Sequence, residues 1–229
     1  MKTAVIVPAL NEAGNIAALV HETRAQSVDW VIVVDNGSTD ETAARAQNAG
    51  AVVVSEPRRG YGFACAAGTA VAMAKGADIL AYIDGDFSSL PSELPLLLVP
   101  IQKNEADLVL GSRALGHIAV GAMLPHQRFG NWLSARIMSW LYQITVTDLG
   151  PYRAIRADLL QSLHMREMTF GWPTEMMVKT AKRNGRILEV PVSWHVRRSG
   201  QSKVSGTLRG SFLAAYYILG VTFRYAWRG

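Results

Sequence analysis

The stretch WVIVVDNGSTDETAARAQNAGAVVVSE, Trp30 to Glu56, decides the fold. It begins with an apolar run rich in valine and isoleucine, WVIVVD, and ends with a second, AVVVSE. Between them lie a polar turn and a helix-forming segment, with Ser38 and Glu41 spaced as a capping box and Gly50 as the stop. Two short apolar runs joined by a helix make a βαβ unit. Its strands must lie parallel and be covered on both faces.

Working outward, the same alternation continues. TAVIVPA precedes the unit as a buried strand, followed by the helix NEAGNIAALVHETRAQ with Ile16, Leu19 and Val20 on one face. After the unit come a Gly/Ala-rich helix, GYGFACAAGTAVAMAKG, and a fourth strand, DILAYID. SELPLLLVPIQKN and ADLVLGSR add a further helix and strand. Beyond Gly116 the pattern is less regular: helices at about 127–144 and 173–184, a strand RILEVPVSWHV, a polar loop RRSGQSKVSG and a last helix. The fold class read from this is α/β, a Rossmann-like, mainly parallel sheet flanked by helices, in a single domain over 1–229.

The chain has 229 residues, 49% of them hydrophobic, enough for one substantial core. One cysteine, Cys65, rules out an internal disulfide, and MKTAVIVPALNE has no basic leader before an apolar stretch, so the expected location is cytoplasmic. The formal charge of +5 is concentrated near the C-terminal end, which suits an anionic partner. The apolar run Phe212 to Phe223 is too short to span a bilayer. With its aromatic residues and flanking arginines it reads either as a helix lying in a membrane interface or as a last helix packed on the core.

Ligands of open parallel sheets bind beyond the carboxyl ends of the strands. Here those ends carry Asn11 and Glu12, then Asp35 to Asp40, then Asp84 and Asp86. Neither a dinucleotide G-x-G-x-x-G nor a P-loop is present. An acidic end to the second strand still suits a mononucleotide. The D-x-D of AYIDGDFSSLP, Ala81 to Pro91, makes sense if that nucleotide carries a diphosphate: carboxylates and phosphates repel unless a divalent cation lies between them, and hard oxygen donors favour Mg²⁺ or Mn²⁺. Such a metal stabilises a nucleoside diphosphate as a leaving group.

The segments VPALNE, VVDNGSTDET, RRGYGFA, IDGDFSSLP, GSR, DLGPYRAIRADLL, TEM, EVPVSW and RRSGQSKVSG occur in the order and approximate spacing of family 2 inverting glycosyltransferases of the GT-A fold. More narrowly, the chain resembles dolichol-phosphate mannosyltransferases and other polyprenyl-phosphate glycosyltransferases. The resemblance implies a nucleotide-sugar-binding half over 1–116, an acceptor half over 117–206 and a C-terminal amphipathic helix over 207–229. It implies that Pro8, Ala9, Glu12, Asp35, Asp84 and Arg113 hold the donor, and that the metal lies at Asp84 and Asp86, with Asp86 its ligand. Ser88 stands where these mannosyltransferases often have a metal-binding glutamine. Glu175 and Asp148 fall at acidic positions near sugar and acceptor. Arg153, Arg197, Arg198, Ser202 and Lys203 match positions that meet acceptor or phosphate. DLGPYR departs from the usual S-G-F-R at Gly150 and Pro151.

The implied reaction moves a hexose from a GDP-mannose or UDP-glucose type donor to a polyprenyl or dolichyl phosphate. The protein would then work peripherally on the inner face of the membrane. A phosphate acceptor is already ionised and needs orientation by arginine and lysine. The alternative is a hydroxyl of a soluble or glycan acceptor, which needs a carboxylate base, Glu175 or Asp148. Nucleotidyl transfer would call for a basic Gly-rich loop after the first strand, and PALNEAGN has none. A membrane- or nucleic-acid-binding module would explain the charge but leave the D-x-D unexplained, so nucleic acid is not an expected partner.

Overall fold

Strand β1 (Thr3–Ala9) pairs parallel with β2 (Trp30–Asp35) on one side and β4 (Ile79–Tyr82) on the other. The computed structural model describes residues 1–199 and 208–226, with side chains in the last helix described from Tyr216 onward. β3 (Val52–Ser55) extends the sheet beyond β2. β5 (Leu108–Ser112), β6 (Arg153–Arg156) and β7 (Ile187–Pro191) complete seven strands in the order β3-β2-β1-β4-β6-β5-β7. Only β6 runs against its neighbours, antiparallel to both β4 and β5. The mainly parallel sheet expected from the sequence is observed, with an antiparallel strand at RAIR for which the apolar pattern offers no signal.

The helices divide between the two faces. α1 (Ile16–Arg24), α2 (Thr42–Asn48) and α4 (Leu94–Gln102) pack Ile16, Leu19, Ala46, Leu94 and Leu97 against one face. α3 (Tyr61–Ala74), α5 (Pro125–Tyr142), α6 (Ala157–Leu163), α7 (Trp172–Lys182) and α8 (Leu208–Ala226) cover the other through Cys65, Met138, Leu160, Met176 and Val221. Ala4 to Val7 and Ile32 to Val34 are fully buried between them. Each such valine, leucine or isoleucine contributes roughly 1.5–3 kcal/mol.

The glycines of α3 have a packing reason. A Cβ at Gly68 would stand 2.5 Å from Ile6 Cγ2 and 2.9 Å from Val34 Cγ2, so the helix lies on β1 and β2 closer than any side chain would allow. The expected capping box at the start of α2 does not form. Asp40 Oδ1 instead accepts from the Thr42 amide at 3.0 Å, while Ser38 Oγ accepts from the Asn11 amide at 2.9 Å. The hydroxyl is drawn to the neighbouring strand end, and the loops after β1 and β2 are knitted together.

Candidate active site

The carboxyl ends of β1, β2 and β4 open on a cavity of about 580 Å³. Pro8, Ala9 and Glu12 form its wall after β1, Asn36 after β2, and Asp84 and Asp86 after β4. Arg59 and Tyr61 close one side, Arg113, Trp194 and Arg197 another, Phe170 comes from the approach to α7 and Pro173 from its first turn. Asn36 stands at the strand end that the sequence marks as polar, whereas Arg59, Tyr61 and Trp194 are not singled out by the sequence. Asn36 donates from Nδ2 to the Glu56 and Arg58 carbonyls and accepts from the Gly60 amide at 2.9 Å, which fixes the RRGYG loop against the cavity. Asp35 accepts at Oδ1 from the Ser38 amide at 3.0 Å and shapes that turn; its neighbour Asn36 is the one that lines the cavity.

Asp84 and Asp86 are one residue apart but differ in setting. Burial and the Asp86 charge push Asp84 up to about 7, against a hydrogen bond from Tyr61 and the charges of Arg113 and Arg197. Because the folded pKa lies above its ordinary 3.8, ionisation of Asp84 costs the fold nothing below that pH and its full penalty above about 7. Asp84→Asn is therefore expected to raise the melting midpoint of the metal-free protein at about pH 8, with the gain shrinking toward about pH 4. A melting series across that range checks it, and an unchanged midpoint at the upper end would refute it.

Asp86 is 8% exposed, and both its oxygens are engaged. Oδ1 accepts from the amide and hydroxyl of Ser88, and Oδ2 lies 2.5 Å from Arg197 Nη2. Arg197 Nη1 is also 3.7 Å from Glu12 Oε1. Ser88 thus orients Asp86. Arg198 stacks on Phe87 with its guanidinium 3.8 Å from the ring centre, beside Glu22 rather than in the cavity. Ser202 and Lys203 lie outside the described residues.

Among the described residues no three His, Cys, Asp or Glu side chains form a ready metal cage. The acidic pair nevertheless suits Mg²⁺ or Mn²⁺, because such ions take one or two carboxylates and complete their shell with phosphate oxygens and water.

Three residues that the resemblance implied for sugar or acceptor have other partners. Asp148, 1% exposed, accepts from Arg113 Nε at 2.7 Å, from Nη2 at 2.6 Å and from the Arg113 amide at 2.7 Å. Burial acts to raise its pKa, but the Arg113 charge and hydrogen bonds outweigh it and hold the carboxyl below the usual range. Arg153 is buried; it donates to the carbonyls of Pro173, Leu149 and Gly150, pinning the DLGPYR turn to the start of α7. Glu175 is fully buried and accepts from the Arg166 and Glu167 amides, Tyr225 Oη at 2.6 Å and Lys179 Nζ at 2.8 Å. None of the three lines the donor-side cavity, whereas Asp148 lines the cavity that adjoins it. Each is met by hydrogen-bonding partners, as a buried charge must be.

A second cavity of about 720 Å³ adjoins the first through Arg113, which lines both. Every fourth residue of one α5 stripe, Arg128, Trp132, Arg136 and Trp140, faces it, opposite Ile118, Met123 and Ile144. Trp140 is 79% exposed, and Phe129 and Trp132 on the same helix are also exposed. The arrangement offers cations and apolar surface together. Spacing of four residues in a helix could have revealed the stripe in the sequence.

A nucleotide-sized cavity at the strand ends, an acidic D-x-D at its floor and a seven-stranded α/β sheet define a glycosyltransferase of the GT-A fold. The family model described as Glycosyl transferase family 2 matches residues 4–163, and the chain belongs to that family. An undecaprenyl-phosphate mannosyltransferase of Micrococcus luteus is 31% identical, over 100% of this chain and 97% of its own length. An uncharacterized glycosyltransferase of Mycobacterium tuberculosis is 37% identical, over 92% and 93%. Among solved structures, glucosyl-3-phosphoglycerate synthase from Mycobacterium tuberculosis, in complex with Mn²⁺, UDP-glucose and phosphoglyceric acid, aligns with a TM-score of 0.79 and 25% identity, covering 98% of this chain and 79% of the other.

Proposed function

We propose that the protein transfers a hexose, with inversion, from a GDP-mannose or UDP-glucose type donor to a polyprenyl phosphate, with Mg²⁺ or Mn²⁺ at Asp86 and Asp84. The observation that carries this reading is the second cavity, where Arg128 and Arg136 alternate with Trp132 and Trp140 and Arg113 opens onto the donor. An amphiphilic anion matches such a lining. Arginine meets its phosphate and the indoles meet its chain.

The state of the carboxylates supports the same acceptor class. A hydroxyl acceptor needs a base; Asp148, which lines the second cavity, is ion-paired with Arg113, and Glu175 is held by Tyr225, Lys179 and two amides. A phosphate acceptor needs none. Within the donor cavity, Glu12, Asn36 and Arg59 would frame the nucleotide, and Arg113 would face both the leaving diphosphate and the incoming phosphate. A bound divalent ion would supply charge neutralisation of the departing diphosphate. The M. luteus relative, named for an undecaprenyl-phosphate substrate, agrees with this acceptor class.

Among the described residues no helix is long and apolar enough to cross a membrane. Contact with the cytoplasmic leaflet would be peripheral, through the exposed Phe129, Trp132 and Trp140 of α5 and through α8. Purified protein, supplied with Mn²⁺ or Mg²⁺ and a panel of UDP- and GDP-sugars, is expected to release nucleoside diphosphate only when polyprenyl phosphate is present, with sugar recovered in the organic phase. Equal release without lipid, with sugar on a soluble hydroxyl, would overturn the acceptor assignment.

A further inference from the structure

We infer that Arg197 is the resident counter-ion of Asp86, and that a divalent cation and Arg197 compete for this carboxylate, which makes metal binding conditional on the nucleotide diphosphate. The inference rests on the proposed metal role of Asp86 and deepens it.

Asp86 and Glu12 are both largely buried and face one cavity with Asp84. Buried carboxylates demand an opposite charge. Here it comes from the chain itself, with Arg197 Nη2 2.5 Å from Asp86 Oδ2 and Nη1 3.7 Å from Glu12. The segment that delivers the guanidinium is docked on the turn that carries the D-x-D. The His195 amide donates to the Ser88 carbonyl at 2.8 Å and the Arg198 amide to the Asp86 carbonyl at 3.2 Å. Arg198 stacks on Phe87, and Ser199 Oγ donates to Asn15 Oδ1 at 2.7 Å, while Asn15 Nδ2 reaches Glu12 at 2.8 Å.

Asp86 Oδ1 already accepts two hydrogen bonds from Ser88, which leaves Oδ2, the oxygen that Arg197 holds, as the one for an incoming metal. A dication on that oxygen would stand within a few ångströms of the guanidinium, and like charges so close in a partly buried site repel strongly. The cation alone therefore binds weakly. A nucleoside diphosphate changes the balance twice: its oxygens complete the metal shell, and its charge gives Arg197 a new partner once it leaves Asp86.

The test is Mn²⁺ binding by electron paramagnetic resonance of the full chain, with and without UDP or GDP, for the parent, Arg197→Gln and Arg197→Lys. Removing the charge in Arg197→Gln is expected to tighten Mn²⁺ binding without nucleotide by about tenfold or more. It should also shrink the enhancement that nucleotide gives. Arg197→Lys, which keeps the charge, should stay near the parent. Equal or weaker Mn²⁺ binding in Arg197→Gln, in protein that still takes up Mn²⁺ with nucleotide, overturns the inference and leaves the proposed function standing. Absence of Mn²⁺ uptake by the parent even with nucleotide overturns the metal role of Asp86 and this inference together.

Discussion

Asp86→Ala protein is expected to lose sugar transfer by a factor on the order of 10²–10³ while still folding and still binding nucleotide in the presence of a chelator. Asp86 is the carboxylate whose orientation is fixed on every side, by the Ser88 amide and hydroxyl at one oxygen and by Arg197 at the other. Its removal takes away the proposed metal ligand. It also takes from Arg197 the carboxylate nearest to it, a change that should raise affinity for the free diphosphate rather than lower it. The two measurements therefore move in opposite directions. Transfer at parental rates with Mn²⁺ present would remove Asp86 as the ligand, and a parallel loss of nucleotide affinity would mean that the cavity itself had collapsed.

The second large effect is on stability. Glu175→Ala is expected to cost roughly 3–5 kcal/mol, because Lys179, Tyr225 and two backbone amides would be left around an empty buried site. Tyr225 lies on α8, which is also held by Tyr142 Oη donating to the Thr222 carbonyl at 2.5 Å, so loosening should begin where α8 meets α7 and α5. Burial acts to raise the Glu175 pKa, but its hydrogen-bond donors bring it below the ordinary carboxylate value. Its contribution is thus present above that ordinary value and is lost as pH falls through the lowered one. Chemical denaturation and proteolysis of α8 would register the loss. In Glu175→Gln protein kept folded at low temperature, kcat should stay within a few-fold of the parent. A thousandfold fall in kcat with an unchanged melting midpoint would return Glu175 to the role of base and revive the hydroxyl acceptor.

The strands that build the donor cavity are legible because burial on both faces leaves only apolar residues to read. TAVIVPA, WVIVVD and ILAY have no competing pattern. β6 is hidden for the opposite reason. RAIR begins and ends with arginine, and the buried Arg153 sits within the sheet with its Nη donors received by the Gly150 and Pro173 carbonyls. The D-x-D was legible from its position after a buried strand. The ranking among the charged residues was not. Asp148, Arg153 and Glu175 look as functional in the sequence as Asp86 does, and only the geometry reveals the hydrogen-bond partners that each of them already has. Arg59 and Tyr61 were within the quoted RRGYG motif, yet their place on the cavity wall depends on Asn36 fastening that loop from another strand.

The position of β6 has a consequence for how the molecule comes into being. The strand that leads to Asp84 and Asp86, β4, has β1 on one side and waits on the other for a partner made more than seventy residues later in the chain. During synthesis from the N-terminus, β3, β2, β1 and β4 can assemble as a parallel platform, but β4 remains an unpaired edge until Arg156 has left the ribosome. β5, already made, cannot reach β4 without β6 between them. The long wait raises contact order and slows closure of the sheet, and it exposes the apolar edge ILAY to other chains. Just before the sheet closes, the nascent chain therefore presents an unpaired apolar edge beside its D-x-D.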